Sequence, residues 1–89
     1  MKRDFFLVGK DNCLYCDMAQ NLLAIRNEEF HYMKYTDLAE GMLEMYIIET
    51  GHKTFPFIWV NEFTQEDIFE ERFIGGFDKL KEYLNKNDE

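Results

Sequence analysis

The chain of 89 residues has two cysteines, Cys13 and Cys16, separated by Leu14 and Tyr15. Two thiols at i and i+3 in the first turn of a helix lie on one face, close enough to bridge, with free backbone N–H groups aimed at the first sulfur. Reversible thiol–disulfide exchange is the chemistry such a pair performs. A helix N-terminus, Cys-X-X-Cys spacing and a nearby cation each lower a thiol pKa below its usual value of about 8.5, and Lys10 lies three residues upstream of Cys13. Cys13 is therefore the expected nucleophile. Cys16, one turn inward and nearer the apolar core, keeps a higher pKa and is the expected resolving thiol. A fall in pKa from about 8.5 to about 5 raises the thiolate fraction at neutral pH roughly 30-fold, but a Brønsted slope of about 0.4–0.5 removes a similar factor of intrinsic nucleophilicity. The larger gain is in departure, because Cys13 must leave when Cys16 or an external thiol attacks the mixed disulfide. Asp11 and Asp17 flank the pair and would oppose a thiolate if turned inward, so they are expected to face solvent.

Other readings of the pair are open. As a structural staple its four-residue loop contributes only about 2 kcal/mol, less than longer loops give. As half of a zinc site it would need His31 and His52, whose separation by twenty residues matches no finger-type spacing. Two buried cysteines without chemistry remain a third reading, which the strand–Cys-X-X-Cys–helix context disfavours. His31 and His52 themselves are expected to be surface or strand residues with no catalytic duty.

The elements that position the pair follow from apolar patterning. Phe5-Phe6-Leu7-Val8-Gly9 is a continuous apolar run suited to a strand buried on both faces. From Cys13 to about Glu28, Leu14, Met18, Leu22 and Ile25 recur at helical spacing, flanked by Ala19 and Leu23. Phe30 to Tyr35 reads as a second strand. Asp37 with Glu40 resembles a capping box, and Leu38, Met42, Met45 and Ile48 carry a second helical stripe to a stop at Gly51. Phe57 to Val60 and Arg72 to Ile74 read as strands joined by a long acidic connection, a solvated face holding Glu62, Glu66, Asp67, Glu70 and Glu71. After Gly75-Gly76, Phe77, Leu80, Tyr83 and Leu84 mark a closing helix with Asp78 in its first turn, and Asn85 to Glu89 read as a frayed tail. The order is β-α-β-α-β-β-α in one α/β domain spanning residues 1–89, with helices on both faces of an open sheet and a right-handed parallel first crossover.

Composition bounds the partners. Ten Lys and Arg against 18 Asp and Glu give a net charge of -8, which repels nucleic acid and anionic lipid surfaces. Fifteen aromatic residues can build the core, each large apolar side chain contributing about 1.5–3 kcal/mol on full burial. Phe5 to Val8 and Phe55 to Val60 are the longest apolar runs, too short for a signal peptide or a membrane span, so the cytoplasm is the expected compartment. There persistent structural disulfides are rare and a Cys pair is more often catalytic or metal-binding.

Three segments in order resemble the glutaredoxin branch of the thioredoxin superfamily, most of all its short phage-encoded members, for which the compartment is the host cytoplasm. Lys10-Asp11-Asn12-Cys13-Leu14-Tyr15-Cys16 is similar to the family's Lys-x-x-Cys-Pro-Tyr-Cys site. Gly51-His52-Lys53-Thr54-Phe55-Pro56 is similar to its segment ending in Thr-Val-Pro, and Gly75-Gly76-Phe77-Asp78-Lys79-Leu80 to its Gly-Gly-x-Asp-x-Leu signature. The resemblance implies a thioredoxin-like fold, a four-stranded mixed sheet flanked by three helices. It implies a monomeric, glutathione-dependent oxidoreductase, with Cys13 and Cys16 catalytic, glutathione as co-substrate and no tightly bound cofactor. Protein disulfides and glutathione mixed disulfides would be its substrates, with ribonucleotide reductase a candidate acceptor. It also implies that Pro56 is a cis-proline facing the cysteines, with the backbone at Phe55 pairing with the glutathione cysteine. Lys10, Tyr15, Lys53, Gly76, Phe77 and Asp78 complete the implied glutathione site. Two lysines suit the tripeptide's two carboxylates, and Asp78 suits its ammonium.

Departures from the family pattern set further expectations. Leu14 stands where the family has Pro, which removes a φ restraint and predicts a looser first turn and a shifted reduction potential. Phe55 replaces Val and adds bulk beside the ligand, and the connection from Asn61 to Glu71 is longer than the family's. No Trp precedes Cys13 and no Gly-Pro separates the cysteines, which argues against a true thioredoxin. Two readings from other classes stand beside this one. One is a metal-binding module holding zinc or a glutathione-ligated iron–sulfur cluster shared between two chains. The other is a non-catalytic interaction domain with a redox-sensitive surface.

Overall fold

The computed structural model describes residues 2–63 and 69–87. Its elements are β1 (Lys2–Gly9), α1 (Leu14–Ile25), β2 (Glu29–Lys34), a 3-10 turn (Tyr35–Asp37), α2 (Met42–Thr50), β3 (Phe57–Phe63), β4 (Phe69–Gly75) and α3 (Phe77–Asn87). The four strands form one sheet in the order β2-β1-β3-β4, so β2 and β4 are its edges. β1 runs parallel to β2 and antiparallel to β3, and β4 returns antiparallel to β3. This is the expected element order and the expected mixed, thioredoxin-like sheet.

Strand alternation divides the apolar residues between two faces. Phe5 and Leu7 of β1, with Ile58 and Val60 of β3, meet Ala19 and Leu23 of α1 and Leu80, Tyr83 and Leu84 of α3. Val8, Phe57 and Trp59 point the other way, where Leu43, Tyr46 and Ile47 of α2 pack against them together with Phe55 and Phe73. β1 and β3 are therefore covered on both sides, as their unbroken apolar runs require. Among the described residues no helix is long and apolar enough to cross a membrane.

Helix phase and element limits differ from the sequence expectations. In α1 the buried residues are Cys16, Ala19 and Leu23, while Leu14, Met18 and Ile25 are exposed, Ile25 to 78%. Cys16 must turn inward to bridge Cys13, and that rotation carries Leu14, Met18 and Ile25 of the Leu14-Met18-Leu22-Ile25 stripe to solvent, while Leu22 stays packed against the core. The capping box at Asp37 does not form. Tyr35–Asp37 make the 3-10 turn, Leu38 is extended, and α2 starts only after Gly41, whose φ of 85° lies in the left-handed region. That late start shifts the packed face to Leu43, Tyr46 and Ile47, leaving Met45 exposed and Ile48 81% exposed. The stop holds: Gly51, with φ of 73°, donates its N–H to the Ile47 carbonyl at 2.8 Å.

Most of the connection expected between Asn61 and Glu71 is strand. Asn61 pairs with Glu71, Glu62 with Glu70 and Phe63 with Phe69, whose rings lie 5.4 Å apart. Glu62 is not simply solvated. It accepts from the Tyr83 hydroxyl at 2.8 Å and from Arg72 at 3.1 Å, holding β3, β4 and α3 together. Glu66 and Asp67 lie outside the described residues. Asn85 to Asn87 continue α3, where a frayed tail was expected, and residues 88–89 lie outside the described residues.

Candidate active site

The site is assembled where β1 delivers the chain to α1. At Gly9 the Tyr32 ring of β2 crosses the strand so closely that a methyl group there would fall 2.6 Å from Tyr32 Cε2. Asn12, at φ 53°, then turns the chain through the left-handed region, which Asn tolerates better than most residues. Cys13 is left extended (φ -116°, ψ 103°) as the cap of α1. Its Sγ accepts the Cys16 N–H at 3.2 Å and its carbonyl accepts the Asp17 N–H at 3.1 Å. Cys13 and Cys16 are joined as a disulfide across a Cα–Cα distance of 5.2 Å. Cys13 is 8% exposed and lines a surface hollow, whereas Cys16 is 1% exposed and lies behind it.

The flanking carboxylates do not turn inward. Asp11 pairs with Lys34 at 2.7 Å, and this hydrogen bond raises the Lys34 pKa. Asp17 is exposed.

Lys53, Thr54 and Phe55, from the segment between Gly51 and Pro56, border the same hollow as Cys13. The Phe55–Pro56 bond is cis, as the resemblance implied, and Pro56 is buried at the mouth of β3. Phe55 stands between Tyr35 and Phe57, at ring separations of 5.4 and 5.5 Å, and carries Lys10 Nζ 5.7 Å from its ring centre. The third segment is the turn from β4 into α3. Gly75 has φ of 127° and lies close against Lys79, where an added methyl would meet Lys79 Cγ at 3.0 Å, so the turn requires glycine.

Two adjoining hollows join these segments. The first, about 390 Å³, is bordered by Cys13, Lys10, Tyr15, Lys53 and Phe55. The second, about 380 Å³, lies between Tyr15, Phe55, Gly76, Phe77 and Asp78. Tyr15, Thr54 and Phe55 border both, and the Tyr15 and Phe77 rings stand 6.2 Å apart. The structure thus gathers Cys13, Lys10, Tyr15, Lys53, Phe55, Gly76, Phe77 and Asp78 around one groove. Cys16 and Pro56 support it from behind.

Asn12, Thr54 and Lys79 also border the groove and had no binding role in the sequence reading, and Leu14 borders it at the position where the family has Pro. Each lies inside one of the three motif segments, which was the available signal. His52 likewise had none. It lies behind Pro56, with Nε2 3.2 Å from the Pro56 carbonyl oxygen and 3.4 Å from Thr54 Oγ1. His31 is exposed on β2, and among the described residues no group of three or more His, Cys, Asp or Glu side chains converges as a metal-ligand set.

No protein-family model and no curated protein matches the chain. Solved structures do. A solution structure of glutaredoxin from Brucella melitensis superposes with a TM-score of 0.63 at 27% identity, over 94% of this chain and 80% of that one. A crystal structure of glutaredoxin 1 from Francisella tularensis, complexed with cacodylate, superposes with a TM-score of 0.67 at 21% identity, over 94% of each chain. The chain has a glutaredoxin-like, thioredoxin-like fold and bears, where its first strand feeds its first helix, a Cys-X-X-Cys pair that supports thiol–disulfide redox activity.

Proposed function

We propose that the protein is a glutathione-dependent thiol–disulfide oxidoreductase working through Cys13 and Cys16. The observation that carries this reading is the disulfide at the α1 N-terminus, beside a groove that contains Lys10 and Lys53 in a chain of net charge -8. Glutathione brings two carboxylates and one ammonium. The lysines suit the former, and Asp78 at the far end of the groove suits the latter.

In the reducing direction, the Cys13 thiolate attacks a sulfur of a protein disulfide or a glutathione mixed disulfide. A Cys13–substrate disulfide forms and one thiolate leaves, taking up a proton from solvent. Cys16 then attacks Cys13 Sγ, releasing the second thiol and closing the Cys13–Cys16 disulfide, or glutathione attacks in its place. Two glutathione molecules restore the dithiol. The first attacks Cys13 Sγ and expels Cys16; the second attacks the glutathione sulfur, expels Cys13 and leaves as glutathione disulfide. The Cys16 N–H on Cys13 Sγ and the helix start favour the thiolate form of Cys13, which eases each departure.

The same reading makes the protein a cytoplasmic monomer without a tightly bound cofactor. Its acceptors are disulfide-bearing proteins, with ribonucleotide reductase proposed among them on family resemblance. The test is Cys13→Ser in a glutathione-coupled disulfide reduction assay. Activity should fall to background, and retained activity would refute the assignment.

A further inference from the structure

His52 is bound into the walls of the groove from behind. A carbonyl oxygen only accepts, so the 3.2 Å contact fixes Nε2 as the protonated nitrogen donating to Pro56 O, with Thr54 Oγ1 as a second acceptor at 3.4 Å. The ring stands edge-on to Phe57 at 4.9 Å and to Phe73 at 5.5 Å, so its orientation is set by β3 and β4. Its other flank meets the turn into α3, where a methyl group on Gly76 would stand 3.5 Å from His52 Cε1 and 3.8 Å from Pro56 O. The His52 N–H donates to Thr50 Oγ1 at 3.1 Å, and that hydroxyl donates to the Tyr46 carbonyl at 2.7 Å, anchoring the residue to the end of α2. One side chain therefore bonds Thr54 and Pro56 and has its edge turned toward Gly76, residues of the two segments that border the second hollow.

We infer that His52 is a positioning residue for ligand binding: its Nε2–H holds the Thr54–Pro56 segment in register with the Gly75–Gly76 turn, fixing the width of the groove without touching the reacting sulfurs. Pro56 is buried, so removing the donor takes this hydrogen bond from its carbonyl oxygen and loosens the segment. The effect falls on binding of the tripeptide moiety. The chemical step at Cys13 is left alone, because the α1 N-terminus is built from other residues.

The inference rests on the glutathione reading for its kinetic arm, and the experiment separates the two. His52→Phe keeps an aromatic ring between Phe57 and Phe73 and removes the donor; His52→Gln supplies an N–H without the ring. With a glutathionylated peptide as substrate, His52→Phe should raise KM about five- to tenfold with kcat within about twofold, as loss of one hydrogen bond used equally in ground and transition states predicts. His52→Gln should recover part of that loss, and the rate at which iodoacetamide alkylates reduced Cys13 should be unchanged in both variants. A wild-type KM in His52→Phe, or a fall in kcat with altered alkylation, overturns the inference. If the wild-type protein turns over no glutathionylated peptide, the glutathione reading fails and amide hydrogen exchange decides the role of His52. His52→Phe must then speed exchange at Thr54, Phe55 and Gly76 at least fivefold while leaving Leu23 unaffected, and equal exchange overturns it.

Discussion

Cys13 and Cys16 differ by environment. Cys13 borders the groove and receives a backbone N–H, while Cys16 is sealed beneath it. On the proposed mechanism an incoming thiolate meets Cys13 first, and Cys16 serves the intramolecular step. Cys16→Ser should keep reduction of glutathione mixed disulfides and lose most reduction of protein disulfides, measured side by side on a glutathionylated peptide and a protein disulfide. Equal loss on both would count against unequal roles. These two residues were legible in the sequence because their chemistry depends on type and spacing. His52 was not, because its significance depends on a carbonyl four residues away that only the turn at Pro56 brings within reach.

At the scale of elements, their order along the chain was readable from apolar runs and punctuating glycines, whereas helix phase was not. Both helices that were misphased answer to constraints from outside their own sequence. Cys16 is turned in by its bridge, and α2 is delayed by the left-handed Gly41. α3, with no such constraint, buries Leu80, Tyr83 and Leu84 as its periodicity predicts. The joint between β1 and β2 gives a direct test. Gly9 allows the Tyr32 ring to lie across β1, with its hydroxyl toward the Lys10 carbonyl at 3.5 Å. Gly9→Ala should destabilise the protein by about 1–3 kcal/mol through overpacking, read from the urea midpoint. Tyr32→Ala in the same background should recover part of that loss, and a midpoint equal to wild type in Gly9→Ala would show that the ring moves aside freely.

For the whole molecule the resolved ionisation shifts point one way. Burial raises the pKa of Tyr32, Tyr46 and Tyr83, with the Glu62 carboxylate adding to the effect at Tyr83. An unfolded tyrosine loses its proton near pH 10, while the folded ones hold theirs to higher pH, so above about pH 10 the unfolded state binds fewer protons and stability falls as pH rises. Lys34, raised by Asp11, contributes in the same direction. The oxidised protein should keep its urea resistance from pH 8 to about 9.5 and lose it as pH rises from about 10 to about 11.5. Tyr83→Phe should lose less over that interval, although its hydrogen bond to Glu62 is gone at every pH; an equal loss would remove Tyr83 from the account.

The sheet ends in β2 on one side and β4 on the other, and both carry charge along rows of backbone groups that could pair with another chain. Glu29 and Lys34 punctuate one rim; Glu70, Glu71 and Arg72 stand exposed on the other. Two copies meeting along β4 would crowd glutamates at the seam, so growth of a continuous intermolecular sheet is opposed at its first step. Charged rims of this kind keep the chain dispersed, with the crowded aromatic side chains of its interior kept from seeding fibres.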